Sequence, residues 1–251
     1  MFYTKNILNR MTGLSPLAIM GFVALLLLAQ TNAAMAATSP NLGTAGPFSV
    51  LAETNITNVP TSAIIGDVGL SPATGAGIGL SCSEVTGTIY SVDAAGPLPC
   101  RVTNPALLTT AINDMMTSYT QNTPSGINQL CDVTYPGVQD LTLVSPLGPG
   151  VYCADSFLLT GNLNLTGSGV WIFKTGAAGT LTTSVGSSVT MDSLDPCNVW
   201  WRIGSAANIF GNSSILGNIL AGTSIDLQAG ASLTGRALAQ AAVTLSGNAI
   251  T

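Results

Sequence analysis

The sequence has 251 residues, of which 47% are hydrophobic and only 7% are charged, with a formal net charge of −5. It contains no histidine, which removes the usual general base, the commonest metal ligand and the Ser-His or Cys-His nucleophile pair. The six Lys and Arg residues are too few for a surface that neutralises phosphates, so the composition argues against nucleic acid as a partner.

The N-terminal segment has the parts of a secretory signal peptide. Lys5 and Arg10 form a basic region, residues 17–29 are an apolar run, and an A-x-A cleavage motif follows. The run is too short for a comfortable membrane span. We therefore predict that residues 1–36 are a signal peptide, and that residues 37–251 are a secreted single domain without a membrane span.

The first predicted strands lie between residues 48 and 80, and a loop from 81 to 103 follows them. Cys82 and Cys100 bracket that loop, and a disulfide between them would constrain it in an oxidising compartment. The chain has five cysteines, so at least one is unpaired within the chain. No C-x-x-C pair and no histidine is present, which disfavours zinc.

One helix is predicted over residues 105–121. Pro105 stands at the first helical position, and Thr103 or Asn104 is the expected N-cap. Apolar residues recur at i, i+4, i+7 and i+11, as on one face of a helix that packs against the rest of the domain. This stripe consists of Leu108, Ile112, Met115 and Tyr119.

The C-terminal part of the chain repeats with a period of 18 residues. The segments that begin at Ala207, Ile225 and Val243 alternate apolar residues with small or polar ones, which is typical of a half-buried strand. Gly, Asn and Ser then punctuate each unit, as turn corners require. A unit of this length that holds three short strands forms one triangular coil of a β-solenoid.

The same strand pattern occurs earlier in the chain with a looser spacing. Residues 157–161 and 181–184 match the strand that begins at Ala207. Residues 170–173 and 199–201 look like another strand that recurs in consecutive coils. The longer interval before Ala207 predicts an insertion near residues 192–197.

Several short stretches, each of low specificity by itself, occur together in an order that resembles the secreted microbial ice-binding proteins. They span nearly the whole mature chain and comprise residues 42–46, 59–60, 65–72, 108–119, 149–152, 198–201 and 233–239. The resemblance implies a mainly β fold, a right-handed β-solenoid of about six or seven triangular coils with one long α-helix packed alongside. In such proteins the N-terminal strands pair with late coils.

The resemblance also implies the activity, which is adsorption to ice without chemistry on a substrate. The protein is then not an enzyme, needs no cofactor or metal, and acts as an extracellular monomer whose partner is the ice surface. Stacked strands repeat every 4.7–4.9 Å or so, so a flat side of a solenoid presents a regular array of side chains. Small hydroxyl, amide and methyl groups on that array can hold water in an ice-like arrangement, whereas Lys and Glu are mobile and strongly hydrated.

In the family, the ice-binding side is the one whose strand here begins at Val243. Because Val, Ile and Leu point inward, the residues between them point outward. Asp226 brings a charge and Phe210 a ring into this array, so we expect moderate activity. The predicted ice-binding residues are Thr57, Leu158, Thr160, Thr182, Ser184, Asn208, Phe210, Asp226, Gln228, Thr244 and Ser246.

Two further expectations concern covalent modification. Relatives with Cys at both places imply a disulfide between Cys153 and Cys197, which leaves Cys131 over. The sequons at Asn55, Asn164 and Asn212 are glycosylation candidates in a eukaryotic host. A glycan on Asn212 would obstruct the predicted ice-binding side.

Two other functions compete with ice binding. One is a cell-wall adhesin module that binds a surface or a glycan, which a sorting signal or a second anchoring domain would favour. A polysaccharide enzyme on a solenoid would need longer coils and clusters of acids or bases. The mature chain has only four cations, which are Arg101, Lys174, Arg202 and Arg236.

Overall fold

The computed structural model describes residues 36–121, 126–192 and 195–251. In these ranges the chain forms 22 β-strands and one α-helix, α1 (Pro105–Thr120). The predicted signal peptide, apart from Ala36, lies outside the described residues. Within the described ranges, no helix has the length and apolar character needed to cross a bilayer.

The larger of two parallel sheets contains a path of ten strands, which we call the helix-covered side. Consecutive members of this path pair in parallel, so each strand is reached by a crossover rather than a hairpin. In spatial order the strands are β7 (Arg101–Thr103), β6 (Ile89–Ser91), β4 (Asp67–Leu70), β1 (Phe48–Ala52), β20 (Ser232–Ala239), β18 (Ser214–Ala221), β16 (Val199–Ile203), β13 (Trp171–Thr175), β10 (Gly150–Ala154) and β8 (Val133–Thr134).

Strands β18 and β20 are long, and each pairs with different strands before and after a glycine. Gly217 and Gly235 are paired in register and have φ values of +108° and +148°, a backbone region that favours glycine. The first halves of β18 and β20 belong to a second path, which we call the third side. Its other strands are β5 (Val85–Thr86), β3 (Ala63–Ile65), β22 (Ala249–Ile250), β15 (Ser188–Met191) and β12 (Asn162–Leu165).

The smaller sheet has seven parallel strands, and we call it the bare sheet. Strands β1 and β2 pair with β20 and β21, so the expectation that N-terminal strands join late ones is confirmed. In spatial order the bare sheet consists of β2 (Asn55–Val59), β21 (Ala242–Ser246), β19 (Ile225–Leu227), β17 (Ala207–Ile209), β14 (Leu181–Thr183), β11 (Ser156–Leu159) and β9 (Val138–Asp140).

The main core lies between the sides and is made of the inward residues of all three. It contains a column of aromatic rings from successive strands. The ring centroids of Phe173 and Trp201 are 4.3 Å apart, and those of Tyr152 and Phe173 are 5.4 Å apart. Such offset stacks add to the burial of apolar area. The indole nitrogen of Trp201 donates to the carbonyl oxygen of Leu216 at 2.8 Å.

A second apolar cluster joins helix α1 to the helix-covered side. The side chain of Asn104 accepts a hydrogen bond from the backbone N–H of Leu107 at 3.1 Å, so Asn104 is the N-cap. The predicted stripe from Leu108 to Tyr119 is buried throughout. It packs in one cluster with residues that include Leu51, Leu220 and Leu238. The predicted helix and its packing face are therefore confirmed.

The disulfides agree with one expectation and correct the other. Cys82 and Cys100 are bonded, but Cys153 pairs with Cys131, and Cys197 is free and exposed. The predicted Cys153–Cys197 pair is therefore wrong. Cys153 lies in β10 beside β8, and its Cα is 5.9 Å from that of Cys131.

Strand spacing explains why the predicted pair cannot form. Cys197 stands just before β16, and β13 lies between β10 and β16. Two strand spacings amount to more than 9 Å or so. A disulfide needs Cα atoms within about 7 Å, so the intervening strand keeps Cys153 and Cys197 apart.

Candidate functional site

The seven strands of the bare sheet each contribute one outward residue to an unbroken row. The strand register pairs each member directly with the next, from one edge of the sheet to the other. Asp140 begins the row, although the sequence analysis did not include it. The full row is Asp140, Leu158, Thr182, Asn208, Asp226, Thr244 and Thr57.

Burial supports the predicted orientation of these strands. In β17, Ala207 and Ile209 are fully buried, while Asn208 between them is partly exposed. The same alternation holds in β14, β19 and β21. Because neighbouring parallel strands are about 4.8 Å apart, the row presents one side chain at each such interval.

A second row lies two residues further along each strand. It contains the predicted residues Thr160, Ser184, Phe210, Gln228 and Ser246, and Ser246 pairs with Val59. Val59 is 58% exposed and was not predicted, because it is an apolar residue at an outward position of β2. Backbone hydrogen bonds continue the ladder here, since Ser184 N donates to Leu159 O at 2.7 Å. The structure thus brings all eleven predicted residues together on one sheet.

The carboxylate of Asp140 ends the row at the β9 edge of the bare sheet. The hydroxyls of Thr142 and Thr160 both donate to Asp140. Burial alone would raise the pKa of Asp140, but the hydrogen bonds from Thr160 and Thr142 outweigh it and lower that pKa. Asp140 is therefore ionised at neutral pH and fixes the orientation of the Thr160 hydroxyl.

The middle of the row carries a second acid, Asp226. Burial raises the pKa of its carboxyl, and a hydrogen bond from the Gln228 side chain opposes that rise. The adjacent positions in register are Asn208 and Thr244, which are uncharged. Asp226 is thus a charge set among small neutral groups on the same surface.

The three glycosylation candidates lie in different places. Asn55 opens β2 at the edge of the bare sheet and donates to the Thr57 hydroxyl at 2.8 Å. Asn164 lies in β12 on the third side. Asn212 is exposed in a turn, with φ at +58°, a conformation that asparagine tolerates better than most residues.

The third side also presents a row of small residues. Registers join them from β12 through to β3, and none of them is charged. The bare sheet is therefore not the only regular surface among the described residues. This row consists of Asn162, Ser188, Ser214, Ser232, Ala249 and Ala63.

Within the three described ranges, no group of three or more Cys, Asp or Glu side chains is placed to hold a metal ion. What the bare sheet offers instead is a periodic array of hydroxyl, amide and apolar groups.

A comparison with protein family models identifies the family of this chain. The model of the Ice-binding-like family matches residues 50–251, which include every strand from β2 to β22. The chain belongs to the Ice-binding-like family. The resemblance stated from the sequence is confirmed.

Relatives and solved structures agree with this assignment. An ice-binding protein of Flavobacterium frigoris is 42% identical over 215 residues, which cover 84% of this chain and 75% of the relative. An ice-binding protein of a Colwellia species is 38% identical and covers 83% of this chain and 82% of the relative.

Among solved structures, an ice-binding protein from an Arctic yeast superposes with a TM-score of 0.72 at 27% identity, covering 86% of this chain and 94% of the other. One from Antarctomyces psychrotrophicus gives a TM-score of 0.67 at 29% identity, covering 85% and 98%. The mainly β fold with parallel sheets and a helix is therefore shared across the family.

Proposed function

We propose that this protein adsorbs to ice through the bare sheet, and that adsorption inhibits ice growth and recrystallisation. The observation that carries the proposal is the continuous register of the outward row from Leu158 to Thr57 across six strands. A lattice offers binding positions at fixed intervals, so a ligand for it must also present groups at fixed intervals. A backbone ladder supplies that spacing because its hydrogen bonds set the distance between strands.

The side chains of the row suit a solid made of water. Thr, Asn and Ser combine short polar groups with few rotatable bonds, so ordering them costs little conformational entropy. Each can hold a water molecule that then joins the lattice. Leu158 and the Thr methyl groups keep other water from competing for the same positions.

Adsorption alone accounts for inhibition. Molecules anchored on a growing face force the ice between them to advance as curved fronts. A curved front melts at a lower temperature than a flat one, so growth stops over a small range of supercooling. No bond is made or broken, and we infer that the protein acts without enzymatic chemistry or a cofactor.

The remaining parts of the proposal concern shape and location. We infer a right-handed solenoid of six or seven triangular coils, because parallel strands on three sides follow one another in chain order and such crossovers are almost always right-handed. We also infer that residues 37–251 act as one secreted monomeric domain after the signal peptide is removed. Ice outside the cell is then the partner.

The adhesin alternative is less well supported. The curated relatives that cover most of this chain are named ice-binding proteins at 31–42% identity. A glycan-binding module would gain from aromatic platforms on its surface, yet Trp171, Trp200 and Trp201 are all buried.

The proposal is tested on a single ice crystal held in a solution of the purified protein just below its melting point. We expect the crystal to develop facets and to stop growing over a measurable interval of supercooling. A crystal that grows freely as a smooth disc, at protein concentrations where a known ice-binding relative halts it, would overturn the proposal.

A further inference from the structure

A cleft lies on the helix-covered side, beyond the C-terminal end of helix α1. One outward row of this side runs through Leu238, Leu220, Arg202, Lys174 and Cys153. The helix cluster includes the two leucines. The two cations after them line a cleft of about 300 Å³ instead.

Two of the four cations of the mature chain are direct neighbours in this cleft. Lys174 of β13 and Arg202 of β16 are paired in register, so their backbones are one strand spacing apart. The other polar groups that line the cleft include Thr134, Tyr135 and Asp155.

Each cation is held in place but keeps unused donors. The Arg202 guanidinium lies over the ring of Tyr119, 4.4 Å from its centroid, and its Nη1 donates to the carbonyl oxygen of Thr175 at 3.1 Å. Its Nε is buried and makes no hydrogen bond with the described residues. Lys174 Nζ donates to the carbonyl oxygen of Gln129, which leaves two further N–H groups.

The surroundings of Lys174 disfavour its charged form. Burial lowers the pKa of Lys174, and the like charge of Arg202 lowers it further. The carbonyl oxygens and the Tyr119 ring that contact the two cations are uncharged, so they offset the repulsion between Lys174 and Arg202 only in part. An anion between the two cations would remove it and would accept charge-assisted hydrogen bonds from both.

We propose that this cleft binds an oxyanion, which Lys174 and Arg202 hold together and which the hydroxyls of Thr134 and Tyr135 assist. Burial raises the pKa of Tyr135, so its hydroxyl stays a donor at neutral pH. Asp155 also lines the cleft and limits its positive charge. Oxyanions that could bind there are the carboxylate of an acidic sugar and free inorganic phosphate or sulfate.

The test is a titration of ¹⁵N-labelled protein, followed by amide chemical shifts, with galacturonate, phosphate or sulfate at constant ionic strength set by chloride. We expect saturable shifts at Thr134, Asp155 and Gly176 in the millimolar range. Stronger binding of galacturonate identifies a sugar carboxylate as the ligand, and equal or stronger binding of phosphate or sulfate identifies a free anion.

Three variants separate the proposed contact from general charge effects. Lys174→Gln should weaken binding by about tenfold, because one charge-assisted contact is lost. Lys174→Arg should keep most of the affinity. Arg101→Gln removes a charge at the far edge of the same sheet and should leave the affinity within about twofold of the wild type.

The proposal is overturned if no anion gives saturable shifts at the cleft. It is also overturned if Lys174→Gln, shown to be folded by its unchanged amide spectrum elsewhere, binds as well as the wild type. Ice growth in the presence of Lys174→Gln should be inhibited as in the wild type, because the cleft and the bare sheet lie on different sides.

Discussion

The helix-covered side and the bare sheet are built from strands that alternate along the chain, yet they end in different surroundings. Leu220 and Leu238 point outward from β18 and β20 and are almost fully buried by helix α1. Asp226 and Thr244 point outward from β19 and β21, which follow those strands in the chain, and remain partly exposed. The outward residues therefore distinguish the side that packs against helix α1 from the side that remains exposed.

The inward residues do not make this distinction. Ile219 and Ala237 below the helix, and Ile225 and Val243 below the bare sheet, are all fully buried in one core. Stability and surface chemistry are therefore carried by alternate residues of the same strands. The outward residues of each side can therefore be substituted while the inward core residues are kept, so mutations can test the comparison.

The largest effect is expected from Leu238→Ala on the helix-covered side. The side chain is fully buried against helix α1, so its loss should cost about 2–5 kcal/mol of unfolding free energy. The matched variant Thr244→Ala on the bare sheet should cost less than about 1 kcal/mol. Urea unfolding of both proteins measures the difference, and equal losses would mean that the helix does not depend on these outward leucines.

A smaller effect is expected from Glu84→Gln, at the N-terminal edge of the bare sheet. Glu84 is 4% exposed and accepts hydrogen bonds from Asn58 of β2, from Ser62, and from both the backbone and the side chain of Ser81. In the variant, the amide NH2 group would face N–H and O–H groups that are themselves donors. The lost hydrogen bonds should cost about 1–3 kcal/mol of unfolding free energy. Thermal unfolding at neutral pH measures this, and an unchanged melting temperature would contradict it.

The same residue gives the wild-type protein a dependence on acid. Burial by itself would raise the pKa of Glu84, but its four hydrogen bonds lower it to about 2 from an ordinary value of 4.5. Stability from Glu84 is therefore complete above pH 4.5 and is lost as the pH falls toward 2. Glu84→Gln should flatten this part of the curve of stability against pH.

The smallest effect is expected from Asp226→Asn in the middle of the bare sheet. Because burial raises the pKa of Asp226, its charged form is disfavoured in the folded protein, and the contribution of Asp226 to stability should rise as the pH falls through that pKa. The amide should raise the melting temperature at neutral pH by about 1 °C. It should also remove the rise on acidification, and a variant that melts below the wild type would contradict this interpretation.

The sequence predicted the parts of the molecule that depend on local pattern. The period of 18 residues placed Asn208, Asp226 and Thr244 in one row, because a repeat of constant length returns each position to the same side. Thr182 joined them through its strand pattern, since it stands 26 residues before Asn208. The spacing of Leu108 and its partners predicted the helix for a similar reason. Both patterns can be recognised in the sequence because they repeat at fixed intervals along the chain.

The parts that were missed depend on which distant segments become neighbours. Cys131 bonds to Cys153 because β8 pairs with β10, and β8 has only two residues, too few to show a strand pattern. Asp140 joins the row because β9 adds a seventh strand. The row on the third side was also missed, since part of it depends on pairing between segments that are distant in the chain, such as β22 with β3.

The most direct test of the account compares Thr244→Tyr on the bare sheet with Thr190→Tyr on the third side. Both residues point outward from strands, so both variants should melt within about 2 °C of the wild type. The gap between melting and freezing of a single ice crystal is then measured for each. We predict that Thr244→Tyr loses most of this gap while Thr190→Tyr keeps it. The opposite result, with Thr244→Tyr fully active, would show that ice does not bind to the bare sheet.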